Sequence, residues 1–457
     1  MMRSHAYQNK GVAVFGLGKS GLSTARCLHA GQAHVHVWDD NLTGREAAIK
    51  AGLPVQDFHG GGWPDTDILV LSPGVPLTHP NPHPVVQYAR QENIAIIGDI
   101  EVFLAEKAAG KVVGITGTNG KSTTSVLIYH ILKIANMQTA LGGNIGTPVM
   151  DLPQLDEDGV YVLELSSYQL DLTPSWRADV AVLLNITPDH LDRHGDMVKY
   201  AAIKRRIFQH QQGADIAIIG VDDAICREIA DELVQTAPQN VIRISVKARQ
   251  DYGISVIDAV LEDSTVDGDI WRFDISTIDA LRGAHNGQNA AAAVAVCRAL
   301  GVQSDDIASG LRSFGGLAHR MELVCRKNNV RFVNDSKATN AEAADKSLAA
   351  FDHIFWICGG RSKTGGIESL ERHFTKIEHA YLIGDCAEEF ARTLAGKVPF
   401  SLCETMDVAV AMAMEAALTS LNEATVLLAP AAASFDQFKS FEARGDAFRA
   451  LVTGGVQ

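Results

Sequence analysis

The chain has 457 residues, of which 46% are hydrophobic and 21% charged, and its formal net charge is −14. The length exceeds one ordinary core and predicts roughly two to four domains. The acidic balance excludes a general nucleic-acid binder, because neutralising phosphates needs a basic surface, but it leaves room for a small basic pocket holding one anionic metabolite.

No apolar run reaches transmembrane length and no signal-peptide pattern opens the sequence, so the expectation is a cytoplasmic protein with no membrane insertion; a monomer is expected. The seven cysteines, Cys27, Cys226, Cys297, Cys325, Cys358, Cys386 and Cys403, are scattered and odd in number. Buried free thiols are expected rather than disulfides or a zinc site.

Three blocks follow one another, each opening with an apolar run, then a turn, then a helical stretch. The first is Gly11-Val12-Ala13-Val14-Phe15, a glycine turn and a helix near residues 20–30, with strand-like runs at 35–38 and 68–71. Near-continuous apolar strands separated by helices indicate a parallel sheet covered on both faces. The Pro-rich stretch 79–84 must be irregular. The second block opens at Lys111-Val112-Val113-Gly114-Ile115-Thr116 and continues into a helix that places Leu127, Ile131 and Ile134 on one face. Further strands are expected at 160–163, 180–184 and 216–219. Residues 254–275 alternate more and contain Asp267-Gly268-Asp269, which suggests a small antiparallel appendage. The third block starts near Met321, with strands at 330–333, 353–358, 380–383 and 425–428. Gly315-Gly316-Leu317 is the candidate hinge before it. The expected class is α/β throughout.

Gly117-Thr118-Asn119-Gly120-Lys121-Ser122-Thr123 follows a strand and opens a helix. Glycines there let backbone N–H groups turn inward around phosphate, and the helix N-terminus adds partial positive charge. Lys121 would reach the outer phosphates and Ser122 would bind Mg²⁺. Ile115 stands where the strict phosphate-loop pattern has its first glycine. A plain strand–helix turn would not need Lys121, Ser122 and Thr123. Gly16-Leu17-Gly18-Lys19-Ser20-Gly21 fits a dinucleotide-binding fingerprint, with Asp39 at the end of the next strand where a ribose-binding acid is expected. Two phosphate-binding turns in separate domains point to two phosphorylated ligands, ATP in the second domain and a nucleotide-linked substrate in the first.

Glu164 ends the strand Tyr161-Val162-Leu163. In a parallel sheet that end lies beside the phosphate loop and suits Mg²⁺ coordination; an exposed strand-end glutamate or a helix cap is the plainer alternative. His190, in Pro188-Asp189-His190-Leu191-Asp192-Arg193-His194, could ligate or orient a metal, supported by Asp189 and Asp192. Lys204, within Tyr200-Ala201-Ala202-Ile203-Lys204-Arg205-Arg206, reads from spacing alone as part of a solvated basic face.

Together these segments resemble the Mur ligase family over nearly the whole chain. The resemblance rests on residues 117–123, Gly142-Gly143-Asn144-Ile145-Gly146, Leu163-Glu164-Leu165-Ser166-Ser167, Asp189-His190-Leu191-Asp192, His319-Arg320, Asn334-Asp335-Ser336-Lys337-Ala338-Thr339-Asn340 and Ala433-Ser434-Phe435-Asp436-Gln437-Phe438. The 335–340 and 434–438 segments resemble the D-glutamate-adding members in particular. The resemblance implies three α/β domains: an N-terminal Rossmann-like domain (1–99) for the UDP part, a central P-loop ATPase-type sheet (100–316) for ATP, and a C-terminal Rossmann-like domain (317–457) that closes over with the amino acid. It implies an ATP-dependent, ADP-forming ligase. That enzyme adds D-glutamate to UDP-N-acetylmuramoyl-L-alanine through an acyl phosphate, in peptidoglycan precursor synthesis.

Residue by residue, the resemblance gives Gly18, Asp39, Gly74 and Asn144 to the UDP substrate. Catalysis falls to Lys121, His190 and Lys204. Two Mg²⁺ ions would be held by Ser122, Glu164, His190 and Lys204, the last as a CO2-derived carbamate, because a carbamate turns a cation into an anionic oxygen ligand. Residues 117–123 (Gly117, Thr118, Asn119, Gly120, Lys121, Ser122, Thr123) would bind ATP, with Asn286 or Asn289 meeting adenine and Arg320 and Asp335 also contacting the nucleotide. Lys337, Thr339, Lys363, Ser434 and Phe435 would hold D-glutamate, whose two carboxylates suit ammonium groups and neutral donors. Ala429 and Ala431 stand where the family leads one to expect Ser and Cys, and Asp40-Asn41 where some members have Thr-Arg. The competing readings are another Mur ligase or a folylpolyglutamate synthase, a nicotinamide-dependent oxidoreductase built on residues 16–21, and a non-catalytic nucleotide sensor. The oxidoreductase leaves the Lys121 loop and Glu164 unexplained.

Overall fold

A computed structural model describes residues 5–59, 63, 65–107, 109–236, 238–266, 270–361, 366–420 and 423–454. It is a mixed α/β chain with three sheets. They belong to two compact units, one made of residues 1–275 and 284–313, the other of 276–283 and 314–457.

The first unit holds two sheets. One has four parallel strands in the order His34–Trp38, Gly11–Phe15, Ile68–Leu71, Ala95–Ile97. The other has nine strands. Its centre is Lys111–Thr116, flanked by Val160–Glu164 on one side and Val180–Leu183 on the other, all parallel. The first strand of a sheet with neighbours on both sides marks a topological switch point, and the crevice beyond the strand C-termini there is where ligands bind. Every residue of Val160–Glu164 and Val180–Leu183 is buried, as expected of parallel strands covered by helices on both faces.

Residues 254–275 do not form a separate appendage. Gly253–Ile257 pairs in parallel with Asn240–Ser245, and Val260–Asp263 and Trp271–Asp274 continue antiparallel from it, so these strands extend the nine-stranded sheet itself. Residues 267–269, the proposed turn, lie outside the described residues. The helix Lys121–Ile134 buries Leu127, Ile128, Ile131 and Leu132, whereas Ile134 is 37% exposed because the helix ends there and its last turn leaves the core. Against it packs Ala284–Ala299, whose run Ala290–Val296 is wholly buried. Small side chains let the two helices approach closely, which brings Asn286 and Asn289 near the phosphate-loop turn.

One apolar cluster runs through both sheets of the first unit, from Val12, Val14 and Val37 to Leu163, Ala181 and Leu183. Cys27 Sγ donates to Met150 O across it at 3.4 Å. The two glycine turns therefore stand on a shared core. Trp176 closes the floor of the central sheet. It is fully buried, its Nε1 donates to Ile207 O at 2.9 Å, and a Cβ at Gly114 would come within 2.3 Å of its ring.

The second unit is a six-stranded sheet, parallel except for Glu322–Lys327, in the order Glu322–Lys327, Val330–Asn334, Ala424–Leu428, Ile354–Gly359, Ile377–Ile383, Phe400–Glu404. The segment 276–283 belongs to this unit, and its Asp279 pairs with Arg326. All seven cysteines are free thiols, six of them buried. Among the described residues no helix is long and apolar enough to cross a membrane.

Trp176→Ala is expected to cost about 3–5 kcal/mol of stability by chemical denaturation. Gly114→Ala should be destabilising in the parent chain but cost less in the Trp176→Ala background, where the indole no longer occupies the space.

Candidate functional site

The phosphate loop leaves the strand Lys111–Thr116 and enters the helix Lys121–Ile134 through Gly120, whose φ of +88° is left-handed. A Cβ there would also fall 2.3 Å from Asn289 Oδ1. Only glycine meets both demands. The loop is braced on every side. Thr118 Oγ1 donates to Thr187 O and meets the Tyr200 hydroxyl, both at 3.1 Å. Asn119 N donates to Asn185 Oδ1 at 2.9 Å, and Asn185 Nδ2 reaches Gln288 Oε1 at 2.9 Å. Asn289 accepts from Thr124 Oγ1 at 3.2 Å and donates to Asn286 at 3.1 Å. Lys121 folds back on the loop, its Nζ donating to Gly117 O at 2.8 Å and Thr118 O at 2.9 Å. Ser122 and Thr123 open the helix beside it.

Glu164 pairs with Ile115 in the ladder and is 1% exposed. It is neither an exposed strand end nor a helix cap. Oε1 accepts from Asn144 Nδ2 at 2.7 Å, and Oε2 is buried with no hydrogen-bond partner. A buried carboxylate oxygen left unpartnered is costly, so the position suits a bound cation.

Lys204 overturns the solvated-face reading. It is 2% exposed, because the helix Met197–Arg205 turns Tyr200 and Lys204 inward. Its Nζ donates to Gly117 O at 2.8 Å and lies 3.5 Å from Thr116 Oγ1 and 4.9 Å from the Tyr200 ring centroid. Burial, with Lys121 nearby as a second cation, lowers its pKa to about 7. Thr116 Oγ1 also donates to Leu165 O at 2.9 Å. Lys204, the phosphate loop and the Glu164 strand therefore meet at one strand end.

His190 is exposed, left-handed (φ 53°) and caps the short helix Leu191–His194. Its Nε2 lies 3.3 Å from Asp189, and its ring centroid 5.1 Å from that of Tyr168. Its neighbour His194 is buried, bonded to Ser167 Oγ at 2.9 Å and stacked on Tyr168. Burial, with His190 and Lys204 close by, lowers His194 to about 4, so it is neutral. His194 and Arg193 were not singled out from sequence. They lie in the quoted segment, but nothing in their spacing separates them from its other polar residues.

At the first glycine turn, a Cβ on Gly21 would strike Gly16 O at 1.9 Å, while Gly18 faces open space. Asp39 serves this turn directly, accepting from Leu17 N at 2.5 Å and Asn41 N at 2.7 Å. Asp40 sits 3.0 Å from His83 Nε2. Gly74 is exposed between the half-buried Pro73 and Val75, in the segment whose Ser72 and Val75 pack against Gly16.

In the second unit Lys337 is exposed with its Nζ 5.9 Å from the Phe441 ring centroid, Ser434 is buried and Phe435 is 65% exposed. Asp335 is buried, and burial raises its pKa; it accepts from Ser347 Oγ and from Met321 N. Arg320 and Thr339 are partly buried. Ala429 and Ala431 are buried, and Ala429 O accepts from Trp356 Nε1 at 2.8 Å. Lys363 lies outside the described residues. Sequence reasoning missed Arg444, which is 1% exposed and donates to Ser336 Oγ at 3.0 Å, Ser336 O at 2.9 Å and Ala432 O at 3.1 Å. It ties together the loops carrying Lys337 and Ser434.

Gly120→Ala is expected to weaken binding of a fluorescent ATP analogue about tenfold or more, since both the backbone angle and Asn289 must give way.

Three family models match the chain: the MurD-like N-terminal domain of Mur ligases at residues 10–98, the Mur ligase middle domain at 115–297, and the Mur ligase glutamate ligase domain at 319–432. A UDP-N-acetylmuramoylalanine–D-glutamate ligase of Caulobacter vibrioides is 49% identical over 460 residues, covering 99% of this chain and 98% of the relative. That of Paramagnetospirillum magneticum is 48% identical over 446 residues, covering 97% and 96%. Among solved structures, the UDP-N-acetylmuramate-alanine ligase MurC of Thermotoga maritima has a TM-score of 0.56 at 17% identity, over 97% of this chain and 99% of that one. A pseudomurein peptide ligase type C of Methanothermus fervidus gives 0.53 at 18% identity, over 98% and 100%. Those two likenesses concern the fold; near-half identity over the full length concerns descent, and with it this chain belongs to the Mur ligase family.

Proposed function

We propose that the chain is an ATP-dependent amide ligase that joins D-glutamate to UDP-N-acetylmuramoyl-L-alanine, releasing ADP and phosphate. The observation that carries this reading is the convergence of the phosphate loop, the unpartnered Glu164 Oε2 and the buried Lys204 at one strand end. The substrate pair follows from the full-length relatives that bear the D-glutamate ligase name. In functional terms the chain is read as three parts, 1–99 for the sugar nucleotide, 100–316 for ATP and 317–457 for the amino acid. A substrate set of this kind, with ATP, belongs in the cytoplasm.

The substrate carboxylate attacks the γ-phosphorus of ATP, the bond to the bridging oxygen breaks, and ADP leaves. The resulting acyl phosphate is attacked by the amine of D-glutamate, and the tetrahedral intermediate collapses to amide and phosphate. Lys121, now bonded to Gly117 and Thr118, supplies the cation that meets charge on the outer phosphates. Ser122, Glu164, His190 and a carbamate on Lys204 would hold Mg²⁺, which supplies charge neutralisation at the phosphates. Carbamylation joins Lys204 Nζ to the carbon of CO2 with loss of one proton, and only the free amine reacts. A pKa lowered to about 7 makes that form available near neutrality. We assign Asn286 or Asn289 to the adenine side, and Gly18, Asp39, Gly74 and Asn144 to the UDP substrate. In the second unit we assign Arg320 and Asp335 to the nucleotide and Lys337, Thr339, Ser434 and Phe435 to D-glutamate.

Phosphate release should require UDP-N-acetylmuramoyl-L-alanine and D-glutamate together, with L-glutamate and other amino acids inactive; indifference to the stereoisomer would sink the substrate assignment. With ¹⁸O in the substrate carboxylate, the released phosphate must carry label. Lys121→Ala is expected to lower turnover at least about 10²–10³-fold.

With ¹³C-bicarbonate, a carbamate resonance is expected in the wild type and absent in Lys204→Ala. The signal should fall as pH drops from about 8 to 6, because Lys204 then takes up the proton that blocks addition.

A further inference from the structure

Arg193 occupies a place that the chemistry above does not use. Its guanidinium donates to the carbonyls of three consecutive residues, Pro73 at 3.4 Å, Gly74 at 3.0 Å and Val75 at 2.9 Å. Its carbon lies 4.7 Å from the Tyr168 ring centroid. That ring also meets His190 at 5.1 Å and His194 at 5.3 Å, so one aromatic side chain meets three residues of the turn. A second thread runs alongside. Thr78 Oγ1 donates to Arg193 O at 3.4 Å, and Gly195, at φ +88°, lies so close to His79 that a Cβ would come within 2.9 Å of its Nε2.

The fork of a guanidinium suits this task, because its donors are fixed in a plane and can reach several carbonyls while the face stacks on an aromatic ring. The bond to Gly74 O is exposed, whereas those to Pro73 O and Val75 O are part-buried, so the guanidinium reaches from the surface into the joint between loop and turn. What the contacts achieve is mechanical. They tie the loop assigned to the sugar nucleotide to the turn whose cap, His190, is assigned to the metal and ATP end.

We infer that Arg193 is a positioning residue that couples the two ligand sites, an inference that rests on the ligase reading. Sugar nucleotide bound at the Gly74 loop fixes the 190–194 turn, and nucleotide with magnesium on that turn fixes the loop. Each ligand then raises the affinity for the other by the same factor, as linkage requires.

Calorimetric titration of the full chain with UDP-N-acetylmuramoyl-L-alanine, with and without magnesium and a non-hydrolysable ATP analogue, reads this factor. The wild type is expected to bind the sugar nucleotide about fivefold or more tighter when the analogue is present. In Arg193→Met the ratio should approach one while the affinity for the analogue alone stays close to wild type. Arg193→Lys, which keeps the charge but reaches fewer carbonyls, should retain part of the coupling. An unchanged ratio in Arg193→Met overturns the inference. So does a parallel loss of both separate affinities with a lower melting temperature, the mark of a merely structural side chain. A wild type that binds both ligands without coupling overturns it while leaving the ligase reading intact, and one that binds neither removes both.

Discussion

An amine and a carboxylate, both withdrawn from water at the C-terminal end of one strand, set the terms for the rest of this molecule. Lys204 and Glu164 are 2% and 1% exposed. Among the described residues neither has an opposite charge bonded to it: Lys204 rests on a backbone carbonyl and Glu164 on an asparagine amide. Burying charge without a partner is unfavourable by several kcal/mol, and proteins accept it where a ligand or a changed protonation state resolves it. Here both resolutions are to hand. Burial lowers the lysine's pKa to about 7, and the carboxylate keeps one buried oxygen without a hydrogen-bond partner.

That arrangement needs a rigid surround. Gly120 permits the loop its left-handed entry, Asn289 and Asn185 hold it from two sides, and the Ala-rich helix Ala284–Ala299 comes close enough to deliver Asn286 and Asn289 because its side chains are small. Beneath, the two sheets of the first unit share one apolar core. The fold thus places two glycine turns on a common base and lets short loops carry the specificity.

The strands were legible because parallel strands covered on both faces are apolar without interruption, as in Val160–Glu164 and Ile354–Gly359. The phosphate loop was legible because its chemistry demands particular residues at fixed spacing. What stayed hidden depended on partners distant in the chain. Lys204 sits among Lys and Arg and looks like a surface residue until Tyr200 and the Gly117 carbonyl close around it. Residues 254–275 alternate like a free hairpin, yet Gly253–Ile257 finds its partner in Asn240–Ser245. Ile134 fits the helical stripe but falls where the helix ends. Arg193 and Arg444 spend their donors largely on backbone carbonyls, which leave no trace in composition or spacing.

The strip 276–283 has a consequence for dissecting this chain. Though flanked in sequence by strands and helices of the first unit, it belongs to the second, so the polypeptide passes between the units three times. A C-terminal fragment begun at residue 317 would lack Asp279, which pairs with Arg326 and lies 3.9 Å from Arg331. The fragment would leave Arg326 and Arg331 sharing Glu423 as their one remaining ion-pair partner among the described residues, and a single protease nick between the units would leave two of the three chain crossings intact.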